Sequence, residues 1–319
     1  MECGADLIEE QNSMSNNYLK LIVEQNSQQL EYLRFCLETK NGEENNKNDD
    51  NKPLTYKNFF SGYTTINING QNFIYGSGKD IITPYFDNEN GEHVSSQEFN
   101  GIEVEQRLCF NNGFSNSYED MLKVTYKIKN NNEDAKIGVR ILIDPMLEDD
   151  DSGYLKIDNL KLTKETEFSE NNIPATWFIE SDLYPKIHAY GKIDSSCIPD
   201  KLIFAEWSSL YDNRWNYSAD INKENKDIAA AFIWNEKGIE KGESSTYSMY
   251  YGVKNTLKVI KSNKENKEST DINSNNEFSK ESDNNTLFST GDNNALYLIV
   301  SIVVSGMIAF VIWRKSRCK

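Results

Sequence analysis

The chain has 319 residues, 34 Lys plus Arg against 50 Asp plus Glu, and a net charge of −16. That length carries one large domain or two small ones, and the 17 Tyr, 15 Phe and 5 Trp exclude a wholly disordered chain, because such rings bury enough surface to offset the entropy of ordering. The acidic balance argues against a nucleic-acid partner, which needs clustered cations, and the two distant histidines, His93 and His188, argue against a histidine zinc site or a histidine-dependent triad.

Residues 1–17 have neither the cationic start nor the apolar stretch of a secretion signal. The expectation there is an unstructured segment, with three explanations open: a start downstream of the true one, a fragment, or a body that is not exported. From Tyr18 to Gly252 the dominant period is two. Leu19, Leu21 and Val23 alternate with polar residues, as do Leu33, Phe35 and Leu37, and such alternation puts one strand face on a core and the other in water. The polar run 41–52, NGEENNKNDDNK, reads as a surface loop. Asn69-Gly70 between TTINI and QNFIY predicts a tight hairpin, since both positions tolerate positive φ. The same alternation runs through 102–110, 121–129 and 139–143, and further strands are expected at 175–181, 186–192, 201–206, 229–234 and 245–251, with 235–242 joining the last two.

No body segment offers a long capped helical stripe. About a dozen short strands predict an all-β fold: one large antiparallel β-sandwich over 18–254, with a split near 152–170 as the alternative. Its interior is expected to hold Trp177, Phe178, Phe204, Trp207, Trp215, Phe232, Trp234, Tyr250 and Tyr251. Residues 255–294 are rich in Asn, Ser, Lys and Glu and read as a disordered polar stalk. The run 295–313, ALYLIVSIVVSGMIAFVIW, carries no charge and matches a hydrocarbon layer of about 30 Å. Arg314, Lys315, Arg317 and Lys319 follow it, leaving −20 on residues 1–313. Flanking cations stay on the cytoplasmic side, so the expectation is a C-terminal transmembrane helix with a basic cytoplasmic tail and an extracellular body.

Leu287-Phe288-Ser289-Thr290-Gly291 before that span and tail resembles the cell-wall sorting signal of Gram-positive surface proteins, L-P-x-T-G. The resemblance implies that Leu287 is the recognised first residue, Thr290 the one a sortase acylates and Gly291 the one released, with peptidoglycan as acceptor. Phe288 stands where the family has Pro, which fixes φ and bends the peptide; a plain membrane anchor is the other reading. In the body, IGVRILIDPML (137–147), FAEWSSLYDNRWNY (204–217) and SSTYSMYYG (244–252) resemble an uncharacterised β-rich module of prokaryotic surface proteins, which implies fold and location and no activity.

The densest carboxylate cluster is LEDDDSG at 147–153, with Asp144 just before it. Asp144, Asp149, Asp150 and Asp151 are the Ca²⁺ candidates, since Ca²⁺ takes six to eight oxygens; a solvated acidic loop is the plainer alternative. Glu206, Trp207, Asp212 and Trp215, with Arg214, Tyr211 and Tyr217 among them, are the candidates for a glycan-binding face or a hydrolytic carboxylate pair, against packed aromatics with charges on the rim. His188 lacks a nearby nucleophile. Five cysteines are too widely spaced for a metal motif; Cys36 and Cys109 sit on the polar parity of their strands, so either a disulfide or free thiols is open. The reading from sequence is a non-enzymatic, membrane- or wall-anchored surface module for adhesion or interaction with a glycan or protein. The alternatives are a carbohydrate-binding or carbohydrate-active surface protein, and a tail-anchored protein facing the cytoplasm.

Overall fold

The computed structural model describes residues 13–255 apart from 27, 30, 45, 58, 79, 80, 88–90 and 185, and describes 81–87 by backbone alone. All of them lie in the first of two compact units, Met1–Ile260. The period-two segments become antiparallel strands in three sheets. A three-stranded sheet holds β1 (Ser13–Ser15), β2 (Leu19–Val23) and β3 (Phe35–Thr39). The strands that follow, β4 (Tyr63–Ile68) to β18 (Ser244–Gly252), are shared between two larger sheets.

The six-stranded sheet runs β13 (Thr166–Ser169), β16 (Lys201–Glu206), β17 (Ile228–Ile239), β10 (Ala135–Ile143), β4 and β5 (Gln71–Ile74). The nine-stranded sheet runs β12 (Leu160–Leu162), β11 (Tyr154–Ile157), β14 (Thr176–Glu180), β15 (His188–Ile193), β18, β9 (Met121–Asn130), β8 (Ile102–Asn111), β7 (Glu92–Phe99) and β6 (Ile81–Asp87). Asn69 and Gly70 take φ of 51° and 83° and close the β4–β5 hairpin where the sequence placed it.

One core joins the sheets. Trp177 of β14 lies 5.0 Å from Phe204 of β16 and 6.0 Å from Tyr251 of β18, and Trp234 of β17 lies 5.7 Å from Tyr247. Leu19, Leu21, Val23 and Leu37 of the small sheet are wholly buried against the same core. The other face of the six-stranded sheet is covered as well. There Tyr63, Leu142, Ile203, Ala205, Ala229, Ala231 and Ile233 meet Leu210 of a short helix, α1 (Trp207–Asp212), and half-buried rings that follow it. This cover is pinned from below. Glu165, 1% exposed, takes hydrogen bonds from the Tyr217 hydroxyl and the Asp220 amide and pairs with Lys223 at 3.0 Å, so its buried charge is matched.

Several expectations change. Trp207 and Trp215 belong to the cover and not to the interior, and Phe178 and Tyr250 are half-buried. Cys36 is buried, since loop 54–56 folds back on β3 and takes its thiol onto the Tyr56 carbonyl at 3.1 Å; Cys36, Cys109 and Cys197 are free thiols. The loop 41–52 is not wholly solvated: Asp49 is buried and accepts the Glu43 amide at 2.7 Å. β17 runs on to Ile239, through more than half of the expected connection. No break falls at 152–170, because β11 and β12 join the larger sheet and β13 the smaller one. The helix reading at 295–313, the stalk and the tail lie outside the described residues; among those described, no helix is long and apolar enough to cross a membrane.

Candidate functional site

β10 and β17 are antiparallel neighbours, with Ile143 opposite Ala230. Asp144 follows the end of β10 and Asp227 precedes β17, so strand pairing brings two carboxylates to one end of the six-stranded sheet. Asp151 reaches the same place from the loop before β11. One carboxylate oxygen from each of Asp144, Asp151 and Asp227 lies within 4.8 Å of the others. Asp144 is 4% exposed and the other two are half-buried. Each has a buried Oδ1 with no hydrogen-bond partner, and none of the three enters an ion pair found among the described residues.

Uncompensated like charges show in the proton affinities. Burial first, then the charges of Asp151 and Asp227, pushes Asp144 up to about 8 even though Ser61 bonds to it. Burial and the charges of Asp151 and Glu206 push Asp227 up to about 7, and burial with Asp150 raises Asp151. Such a group either shares protons or takes a cation. Ca²⁺ sits about 2.3–2.6 Å from each oxygen, so carboxylate oxygens up to about 5 Å apart can share one ion, and the 4.8 Å spread fits. Three carboxylates offer up to six hard oxygens, the donor type that Ca²⁺ takes and soft metals do not.

Of the four aspartates the sequence singled out, Asp144 and Asp151 join this group. Asp149 and Asp150 do not: Asp149 accepts the Tyr184 hydroxyl, and Asp150 accepts the Ser181 hydroxyl and the Ser152 amide. Those bonds hold Asp150 below the usual carboxylate range against the pull of burial. Asp227, the third member, was missed. Its only signal in the sequence is a carboxylate at the start of the apolar run IAAAFIW, which becomes informative only once β17 is known to pair with β10.

The second candidate group is dispersed in role. Trp207 donates Nε1 to the Ser61 carbonyl at 3.0 Å and packs on Tyr211 at 4.8 Å. Trp215 lies over Gly138, where an added Cβ would come within 2.5 Å of its ring. Glu206 accepts the Lys226 amide at 3.2 Å, and Asp212 is exposed. The two tryptophans are thus half-buried parts of the sheet cover rather than an open stacking platform. His188 stands 3.7 Å from Glu43 and against Phe178 and Tyr190. His93 is fully buried, and burial lowers it to about 4. Leu287, Thr290 and Gly291 lie outside the described residues.

Asp144 and Ser61 also line a cavity of about 30 Å³, whose other walls include Arg34, Tyr63, Gln106 and Tyr126.

No family model matches the chain, and no curated protein does. Among solved structures, it is similar to a protein assigned as a kojibiose phosphorylase from the human microbiome, with TM-score 0.38, 11% identity, 77% of this chain covered and 30% of that one. It is also similar to the heparan sulfate lyase HepC of Pedobacter heparinus, as a mutant (TM-score 0.38, 9% identity) and without that label (0.36, 10%), each over 73% of this chain and 33% of that one. The chain spans about a third of the length of these proteins, and TM-scores this low transfer no property to it.

Proposed function

We propose that the chain is a non-enzymatic surface module: an antiparallel β body, closed at one end by a Ca²⁺-class cation, that is held at the membrane or wall and presented for contact with an extracellular glycan or protein. The observation that carries the cation is the convergence of Asp144, Asp151 and Asp227 with buried, unpartnered oxygens and no ion pair to any of them among the described residues. The ion joins the end of β10, the start of β17 and the loop before β11, so it ties three chain segments with one set of bonds. Extracellular Ca²⁺ near millimolar fills sites of even modest affinity, which matches a body held outside the cell.

The anchoring part rests on sequence. The apolar run 295–313 with its cationic tail supplies the membrane attachment, and the polar segment 255–294 supplies a spacer of about 35 Å r.m.s.. Leu287, Thr290 and Gly291 give a sortase its cleavage point, with peptidoglycan as the acceptor.

Two experiments test the two halves separately. Thermal unfolding of the chelator-treated chain, with and without about 5 mM CaCl₂ (above the range of extracellular sites), tests the ion: the wild type gains stability and Asp227→Asn gains little. An equal gain in both would remove the site. Protease treatment of intact cells tests the topology. Loss of the body with the tail protected is expected, with wall association that disappears in Thr290→Ala; a protected body would reverse the orientation.

A further inference from the structure

Four arginines fall among the described residues: Arg34, Arg107, Arg140 and Arg214. In a chain of net charge −16 each has many acids to choose from, and Arg107 takes two, Glu92 at 2.6 Å and Glu105 at 2.8 Å. Two of the other three, Arg34 and Arg140, gather at Tyr63 instead. The guanidinium carbons of Arg34 and Arg140 lie 5.5 and 5.7 Å from its ring centroid, and the charges of Arg140 and Arg214 both act on its hydroxyl. None of the three forms an ion pair with a described residue.

Arg140 is fully buried; its Nη2 donates to the Leu210 carbonyl at 2.7 Å, and its Nε and Nη1 have no partner. Arg34 spends Nη1 on the Phe60 carbonyl at 2.6 Å and leaves a buried Nε without one. A guanidinium kept from water without an acid, as Arg140 is, is costly, and the half-buried Arg34 beside the same ring adds to the positive potential there. The edge of Arg34 that stays unused carries Nε and Nη2, whose two parallel N–H groups match the two oxygens of a carboxylate.

Arg34 opens onto the cavity that Tyr63, Gln106 and Tyr126 also line. Gln106 donates Nε2 to the Tyr126 hydroxyl at 2.7 Å and leaves its Oε1 buried without a partner. Turned by 180°, the same amide accepts from that hydroxyl and offers its NH₂ in place of Oε1, since the two orientations of an amide fit one outline. Size then selects among anions. A cavity of about 30 Å³ holds about two waters, which is the room of two carboxylate oxygens and not of a whole ring. Tyr56 and Phe59 line its half-exposed side, and Phe59 is held at φ 59°, a left-handed backbone rare for a bulky residue and concentrated at ligand sites.

We propose that this cavity is a carboxylate socket: the carboxylate of a small organic acid enters between Arg34 and Gln106, under the added field of Arg140, while the body of the ligand stays outside against Tyr56 and Phe59. The acid is either a simple one or a carboxylated sugar. The socket does not rest on the cation reading, although Asp144 borders both places.

Saturation-transfer NMR on the full-length chain tests it, with acetate, D-glucuronate, D-glucose and sulfate as probes. Acetate and D-glucuronate are expected to receive saturation or compete for the site, and D-glucose and sulfate are not. D-Glucuronate outbinding acetate assigns the carboxylated sugar, and equal binding assigns the simple acid. Arg34→Gln is expected to weaken carboxylate binding about tenfold or more, the loss of one charge-assisted pair. Arg34→Lys keeps the charge and loses the fork, so it retains the wild-type melting curve with weakened binding. The proposal is overturned if neither carboxylate binds, if sulfate or D-glucose binds equally, or if both Arg34 variants bind as the wild type does.

Discussion

Raising the pH of the metal-free chain from 6.5 to 8 is expected to destabilise it, and Asp144 sets the size of the effect. Its carboxyl is pushed up to about 8 in the folded chain, against about 3.9 when unfolded. The folded state therefore holds a proton that the unfolded state has released. Stability from such a raised acid is complete below the unfolded value and is lost as pH climbs to the folded one. One proton corresponds to about 1.4 kcal/mol per pH unit, so this window removes about 2 kcal/mol, or about 4–8 °C of melting temperature in a body of this size. His93 has little effect in this window. Its folded value of about 4 makes it add stability only while pH rises to about 6.5. Asp227, up to about 7 but half-buried, contributes with the same sign in the lower part of the window, reduced by solvent screening. Thermal or urea unfolding in chelator at four pH values measures the slope. Asp144→Asn, which mimics the protonated acid, flattens it, and saturating Ca²⁺ also flattens it while adding about 2.7 kcal/mol at a hundredfold excess over Kd. Stability that is constant or rises from pH 6.5 to 8 in chelator refutes the electrostatic account of the three aspartates.

Other changes probe the packing that holds the site. Gly191 lies opposite Trp177, and a Cβ there would come within 2.1 Å of the indole; Gly191→Ala is expected to cost about 1–3 kcal/mol by overpacking, read from urea midpoints. Glu165→Gln removes the charge that Lys223 pairs with at 3.0 Å and is expected to cost about 1–3 kcal/mol, with a red shift in tryptophan emission as the cover around Trp207 and Trp215 loosens. Burial raises Cys36 to about 12 and Cys109 to about 11, so a thiol reagent at neutral pH is expected to leave Cys36 unmodified until the chain unfolds, and peptide mass mapping checks the order.

Strands with a clean apolar alternation were legible in the sequence. β8 and β9 pair along their full length, and the Asn69-Gly70 turn sits where its chemistry requires. β7 was not legible, because most of its buried positions are polar. Ser95 meets the Tyr75 hydroxyl at 2.9 Å, and Gln97 accepts the Gly76 amide at 2.8 Å and donates to the Ser77 carbonyl at 2.7 Å. Satisfied polar groups are invisible to a hydrophobic pattern. The aspartate site was half legible. Asp144 and Asp151 stand in an obvious acidic stretch, but its neighbours Asp149 and Asp150 are spent on hydroxyls and amides. The third carboxylate, Asp227, is 76 residues further on from Asp151, brought back by strand pairing that no local pattern encodes. Likewise Arg34 and Arg140 share a tyrosine only because β3, β4 and β10 converge.

Equilibrium dialysis of the chelator-stripped, full-length chain against radioactive Ca²⁺ measures the cation site most directly. One ion is expected to bind per chain, with a midpoint of about 0.1–1 mM as for extracellular modules, and to be lost in Asp227→Asn. No retained Ca²⁺ in the wild type, or an undiminished ion in the variant, would contradict the cation site.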